Sequence, residues 1–293
     1  MRRTLPEFEY FAPPSLKDLL ELLNSLEKAK LLASGTDLIP AIREKGLTPK
    51  YVVSLKNLTK DLSYIKMDYE NGKRVLRIGA LTTIHSIEAS ETLGQKFYIL
   101  KEAASQLGTY QIRNRATIGG NLCNASPAAD MAIPLLALNS RLILLSIEGE
   151  REVPIKEFFL GPGKTILKSN EILKEVVIEE PKSFGSAFLK VSRKAIGLAI
   201  VNVACYVELT NGVINDIRVA LGAVAPTPVR ATNLEKELIG KRINDVDITE
   251  ACKKVDEDIK PISDVRASKE YRMHLSRVLT ERAIRISLQR VVL

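Results

Sequence analysis

Between Gln111 and Asp130 the chain reads Gln-Ile-Arg-Asn-Arg-Ala-Thr-Ile-Gly-Gly-Asn-Leu-Cys-Asn-Ala-Ser-Pro-Ala-Ala-Asp, and this stretch constrains the molecule more than any other. The β-branched pair Thr117-Ile118 runs into Gly119 and Gly120, and a helical pattern opens only after Asp130. Glycines there permit positive φ and let a ligand come close to the backbone. Asn121, Asn124, Ser126 and Asp130 set short hydrogen-bonding side chains around that bare backbone. Such a cluster suits a ligand with phosphate and ribose oxygens, which need many fixed N–H and hydroxyl donors.

A second segment has the same grammar. Ala29 to Ala33 reads as a short buried strand, followed by Ser34-Gly-Thr-Asp37 and an apolar, helix-like stretch from Leu38 to Ile42. A strand, a small-residue turn and a helix start gather unpaired backbone N–H groups at one point. Taken singly, each segment also reads as an ordinary tight turn. Neither is a Walker A loop or a GxGxxG fingerprint, so the usual nucleotide folds are not indicated.

Together the segments resemble the FAD-binding medium subunit of the molybdenum hydroxylases: xanthine dehydrogenase, aerobic carbon monoxide dehydrogenase and aldehyde or glyceraldehyde oxidoreductases. That family's first flavin loop reads roughly Ala-Gly-Gly-Thr-Asp-Leu, against Ala33-Ser-Gly-Thr-Asp-Leu38 here. Its second reads Thr-Ile-Gly-Gly-Asn followed by Ala-x-Pro-x-x-Asp, matched from Thr117 to Asp130. Phe188-Leu-Lys-Val-Ser-Arg-Lys194 is similar to a Lys-x-x-x-Arg-Arg run, and Ser263 to Arg272 to the family's C-terminal Asp-x-Arg-x-Ser-x-x-Tyr-Arg pattern. The four patches keep the family's order over nearly the full chain.

The resemblance implies an α+β protein. A two-subdomain FAD-binding domain of the PCMH type would span residues 1–178, as a small βαβ-like unit at about 1–57 and a larger α/β unit at about 58–178. A C-terminal domain of antiparallel sheet plus helices would span 183–293. It further implies that Leu31, Leu32, Ala33, Ser34, Gly35, Thr36, Asp37 and Leu38, with Thr117, Gly119, Gly120, Asn121, Asn124, Ser126 and Asp130, wrap the pyrophosphate and ribityl chain. Lys190 would place a positive charge near the isoalloxazine or the phosphates. Leu107 and Leu173 would pack on the flavin system, or equally be plain core. Leu198 stands where some relatives carry an aromatic residue against the ring, and Ser34 replaces a family glycine; both are departures from the pattern.

Implied partners are a small subunit with two 2Fe–2S clusters, a large molybdopterin subunit that oxidises the substrate, and an external electron acceptor. The chain cannot supply those clusters itself. Its three cysteines, Cys123, Cys205 and Cys252, are far apart with no CxxC pair, and only His85 and His274 are available as imidazole ligands. No metal site and no catalytic nucleophile–base pair can be assembled from it, which fits an enzyme that leaves the chemistry to its cofactor. The cysteine-bearing insertion of the related 4-hydroxybenzoyl-CoA reductase subunit is also missing.

Composition narrows the alternatives. A length of 293 residues allows two domains with their own cores. The net charge of +8 comes from Lys and Arg mixed with acidic residues along the chain, so it reads as a solvated surface and not as a nucleic-acid footprint. No apolar run is long enough to span a membrane, and Met1-Arg-Arg-Thr has no apolar stretch behind it; a cytoplasmic location is expected. Two competing readings are a self-contained flavin oxidoreductase on the same fold and a non-enzymatic basic scaffold protein. The first requires an acid–base pair and the second a Lys/Arg cluster with exposed aromatics.

Periodicity predicts helices at 15–28, 84–89, 99–107, 131–138, 234–239, 248–259 and 269–290. It predicts strands at 30–33, 51–55 and 171–178, and hairpins at 62–67/74–78, 141–147/152–155 and 199–209/213–221. Pro181-Lys-Ser-Phe-Gly185 marks the domain boundary.

Overall fold

The computed structural model describes residues 5–182 and 184–291. Met1 to Thr4 and Ser183, on which the leader and boundary readings partly fall, lie outside the described residues.

A three-stranded parallel sheet opens the chain, with Tyr51–Ser54 between Glu9–Phe11 and Lys30–Leu32. The helix Leu16–Ser25 covers it because Leu19 and Leu23 recur on one face, and the Ser15 hydroxyl caps its start by accepting from the Asp18 N–H. It ends three residues before the predicted 28: Leu26 is already extended and Lys28 takes φ 57°. The strand Glu9–Phe11 escaped the pattern because two of its three residues are exposed.

The second layer is a five-stranded antiparallel sheet, in the order Ile65–Glu70, Lys73–Gly79, Ile172–Glu179, Arg141–Ser146, Gly149–Pro154. Its first hairpin turns at Asn71 and Gly72, both at positive φ as a tight primed turn requires. Between Gly79 and Arg141 the chain leaves the sheet and builds short helices. These include Ile84–Ala89, Tyr98–Ser105, Ile118–Cys123 and Ala132–Ala137, which bury Ile99, Leu100, Ala103 and Leu135 with Leu76, Ile78, Leu142 and Val176 of the sheet.

The third layer is a four-stranded antiparallel sheet, Gly185–Ser192, Ala199–Thr210, Val213–Gly222 and Val229–Arg230. The strand Ala199–Thr210 is buried on both faces, and its alternation assigns each face a partner. Val203, Cys205 and Val207 share a core with Leu275, Leu279, Ala283 and Ile284 of the 21-residue helix Lys269–Gln289. Ala204 and Tyr206 instead join the core of the preceding domain, as do Phe184 and Phe188. The two halves therefore meet across a continuous apolar layer. One predicted helix is corrected: 248–259 is α-helical only over Ile248–Ala251 and continues as a 3₁₀ turn, Cys252–Glu257, that keeps Val255 buried.

Candidate functional site

The second glycine loop is anchored on one short segment, Ala80–Thr82: the carbonyls of Ala80 and Thr82 accept from the N–H groups of Gly119 and Ile118 at 2.8 and 3.0 Å. Leu81 of that segment belongs to the same apolar cluster as Leu31 and Ala33 of the first.

The first loop is a cradle of free amides. The strand Lys30–Leu32 ends and the helix Leu38–Glu44 begins six residues later, with Gly35 between them at φ +82°. A Cβ at Gly35 would lie 2.9 Å from Ile39 Cγ1 and 3.2 Å from Leu32 Cδ1, so conformation and space both require glycine. Among the described residues, the backbone N–H groups of Ser34, Gly35, Thr36, Asp37 and Leu38 have no protein acceptor. Ser34 is accommodated because its φ is not in the left-handed region. Asp37 opens the helix without making a side-chain cap bond. Partial burial of its carboxyl raises its pKa against the opposing pull of Lys45.

The second loop differs from the sequence reading. Gly119 and Gly120 do not take positive φ; they form the first turns of the helix Ile118–Cys123. The N–H groups at its start are also committed: Ile118 to Thr82, Gly119 to Ala80, Gly120 to the Thr117 hydroxyl and Asn121 to the Thr117 carbonyl. Gly119 is needed for packing, since a Cβ would fall 2.7 Å from both Cβ and the carbonyl oxygen of Ala80. Gly120 would meet only the Thr117 hydroxyl, at 3.0 Å. The left-handed residue of this stretch is Ala125, at φ 47°. Asn121 and Ser126 brace the following turn, accepting from the N–H groups of Met131 and Ala128 at 3.3 and 3.2 Å, and Asn124 is exposed.

Asp130 and Lys190 meet each other. Lys190 Nζ donates to Asp130 Oδ2 at 2.6 Å and to the Gln106 carbonyl at 2.9 Å, and Asn202 Nδ2 donates to Asp130 Oδ1 at 2.8 Å. The Lys190 and Asp130 side chains are only 3% and 5% exposed. Burial raises the Asp130 pKa, while Lys190 and Asn202 act to lower it. Asp130 caps no helix: Ala132–Ala137 starts at Met131 with no side-chain cap bond. Lys190 occupies an edge strand, yet its ammonium points inward and keeps one N–H uncommitted.

Asn202 was missed by the sequence reading. It sits opposite Lys190 across the ladder, is fully buried, and its Oδ1 has no partner. The signal was present, because one amide interrupts the otherwise apolar run Ala199 to Val207 except for Tyr206. Leu107 and Leu173 are buried in the central core. Leu198 is 62% exposed, beyond the end of the strand pair that carries Lys190. Cys123 is partly exposed, but its thiol is enclosed by apolar neighbours that push its pKa up to about 12. Among the described residues no group of His, Cys, Asp and Glu is arranged to hold a metal, and no helix is long and apolar enough to cross a membrane.

The fold and the family comparisons make the chain a flavoprotein subunit. Residues 6–181 match the family described as FAD binding domain in molybdopterin dehydrogenase, and residues 186–286 match the CO dehydrogenase flavoprotein C-terminal domain. The chain belongs to the FAD-binding medium subunits of the molybdenum hydroxylases, which are oxidoreductases, and FAD is its cofactor. It is 36% identical to the glyceraldehyde dehydrogenase medium chain of Sulfolobus acidocaldarius, covering 96% of this chain and 98% of that one. It is 35% identical to the xanthine dehydrogenase FAD-binding subunit of Escherichia coli O157:H7, over 94% of both. A solved carbon monoxide dehydrogenase from Hydrogenophaga pseudoflava superposes with a TM-score of 0.93 at 30% identity, over 99% of this chain and 100% of that one.

Proposed function

We propose that this chain is the electron-transfer subunit of a heteromeric molybdenum hydroxylase. In this reading a large molybdopterin subunit oxidises the substrate and a small subunit with two 2Fe–2S clusters relays the electrons. FAD, when bound, supplies the store that receives those electrons and releases them to an external acceptor.

The observation that carries the reading is the run of five uncommitted amides from Ser34 to Leu38 around the left-handed Gly35. Successive N–H groups at a turn before a helix form a concave positive surface suited to a pyrophosphate. Leu31, Leu32, Ala33 and Thr36 shape its walls. Thr117, Gly119 and Gly120 contribute a rigid helix start whose donors are already occupied, with the role of fixing the opposite wall; Asn121, Asn124, Ser126 and Asp130 continue that wall. Lys190 offers its remaining N–H and its charge to the flavin end, held by Asp130 and the Gln106 carbonyl. Leu107 and Leu173 back the site from the core, and Leu198 stands at its solvent edge.

The test follows the flavin's visible absorption. Purified chain is expected to carry FAD that is released by acid precipitation. Its bands should stay unbleached when an aldehyde or purine is added alone, and bleach once the small and large subunits of the complex are supplied. Bleaching by an organic substrate with this chain alone would overturn the relay reading in favour of a self-contained oxidoreductase.

A further inference from the structure

A cavity of about 200 Å³ lies where the two domains join, and of the residues assigned above to the cofactor only Ser126 lines it. Ser126 and Pro127, at the end of the second loop, form part of one wall, and the Ala223 N–H donates to the Pro127 carbonyl at 2.7 Å across the joint. The facing wall carries Lys260, Asp264, Arg266 and Arg272.

The charges on that wall do not balance. Three cations face one carboxylate, a surplus of two positive charges. Asp264 is fully engaged, accepting from Arg266 Nε at 3.0 Å and Nη2 at 2.6 Å and from Arg272 Nη2 at 2.8 Å. Among the described residues, neither the exposed Lys260 Nζ nor the partly exposed Arg266 Nη1 donates to a protein acceptor. The Arg272 side chain is 1% exposed, and its Nε is buried without a partner. Buried polar groups are normally hydrogen-bonded, and buried charge is normally compensated.

We propose that this cavity is an oxyanion subsite, taking a small molecule that carries a phosphate or carboxylate group. An anion supplies an acceptor for the buried Arg272 Nε and negative charge against the surplus of two. The volume is below the roughly 300 Å³ at which sites for drug-sized ligands begin, so the occupant is a small ion or metabolite and not a dinucleotide. None of its lining residues belongs to the amide cradle around Gly35, and its charged donors are side chains of the C-terminal domain.

Calorimetric titration of the FAD-saturated chain tests this, since the cofactor's own phosphate site is then filled. Inorganic phosphate and, separately, malonate are added at an ionic strength held constant with chloride. Saturable one-site binding of at least one of them is expected, and which one binds identifies the group recognised. Lys260→Glu and Arg266→Gln should each weaken it about tenfold or more, as loss of a charge-assisted hydrogen bond does, with flavin content unchanged. Lys260 is exposed, so its reversal spares the fold. Failure of both anions to saturate, or binding in the two variants as tight as in the parent, overturns the proposal.

Discussion

Lys190 Nζ lies 2.6 Å from Asp130 Oδ2, and the two side chains come from different domains. The pair is enclosed on both sides, so it is a joint between the domains as much as a feature of the cofactor site. Removing one member of a buried pair leaves the other charge without compensation.

Lys190→Met and Asp130→Leu should each cost about 3 kcal/mol in urea unfolding of the FAD-free protein. The double variant should cost less than the sum by at least about 1 kcal/mol, the coupling expected of residues in direct contact. Strict additivity would show that the pair contributes nothing across the boundary.

The three loop glycines should separate cleanly. Gly35→Ala, which forces a Cβ at φ +82° to 2.9 Å from Ile39, is expected to weaken FAD binding about tenfold or more by distorting the amide cradle. Gly119→Ala should act mainly on stability, lowering it by about 2 kcal/mol or more, because its obstacle is the Ala80 backbone. Gly120→Ala should be mild in both assays. Fluorescence titration with FAD and thermal melts on the same samples distinguish the three; an equal loss of affinity in all would refute the assignment.

Thr117→Ala removes the acceptor for the Gly120 N–H, at 3.0 Å, and should lower stability by about 1 kcal/mol. Thr117→Ser keeps the hydroxyl and should restore most of it. Recovery by serine, measured as melting temperature, separates capping from packing of the threonine methyl.

Asp264 predicts an acid limit. Burial pushes its pKa up, but the Arg266 side chain and amide and the Arg272 guanidinium outweigh that and hold it well below the usual carboxylate range. A depressed folded pKa means that the unfolded chain takes up the proton first. The stabilisation is therefore complete above the unfolded value, about 3.9, and is lost as pH falls below it. Asp264→Asn should melt well below the parent at pH 7, by about 3 kcal/mol with Arg272 left unpaired, and the gap should narrow on acidification toward pH 3. A gap independent of pH would exclude the ionised pair as its origin.

The sequence alone determined several features that rest on local chemistry. The apolar repeat of Leu16, Leu19 and Leu23 behind the Ser15 cap placed the first helix. Asn71-Gly72 and Asn211-Gly212 placed two hairpins, because both residues of each pair take positive φ. The order of the four motifs pointed to the α+β architecture and to FAD. What tertiary structure alone decided is the state of the glycines and the partner of each charge. Gly119 and Gly120 have poor intrinsic helix propensity, yet they are helical because Ala80 and Thr82 accept their turn's first N–H groups. The resulting helix spends the donors that the pattern offered to a ligand, and the free amides remain at Ser34 to Leu38. Lys190 and Asp130 are 60 residues apart, and Asn202 is 72 from Asp130. Local preference carries no information about pairs so distant; only the packing of one sheet face against the preceding domain brings them into hydrogen-bonding range.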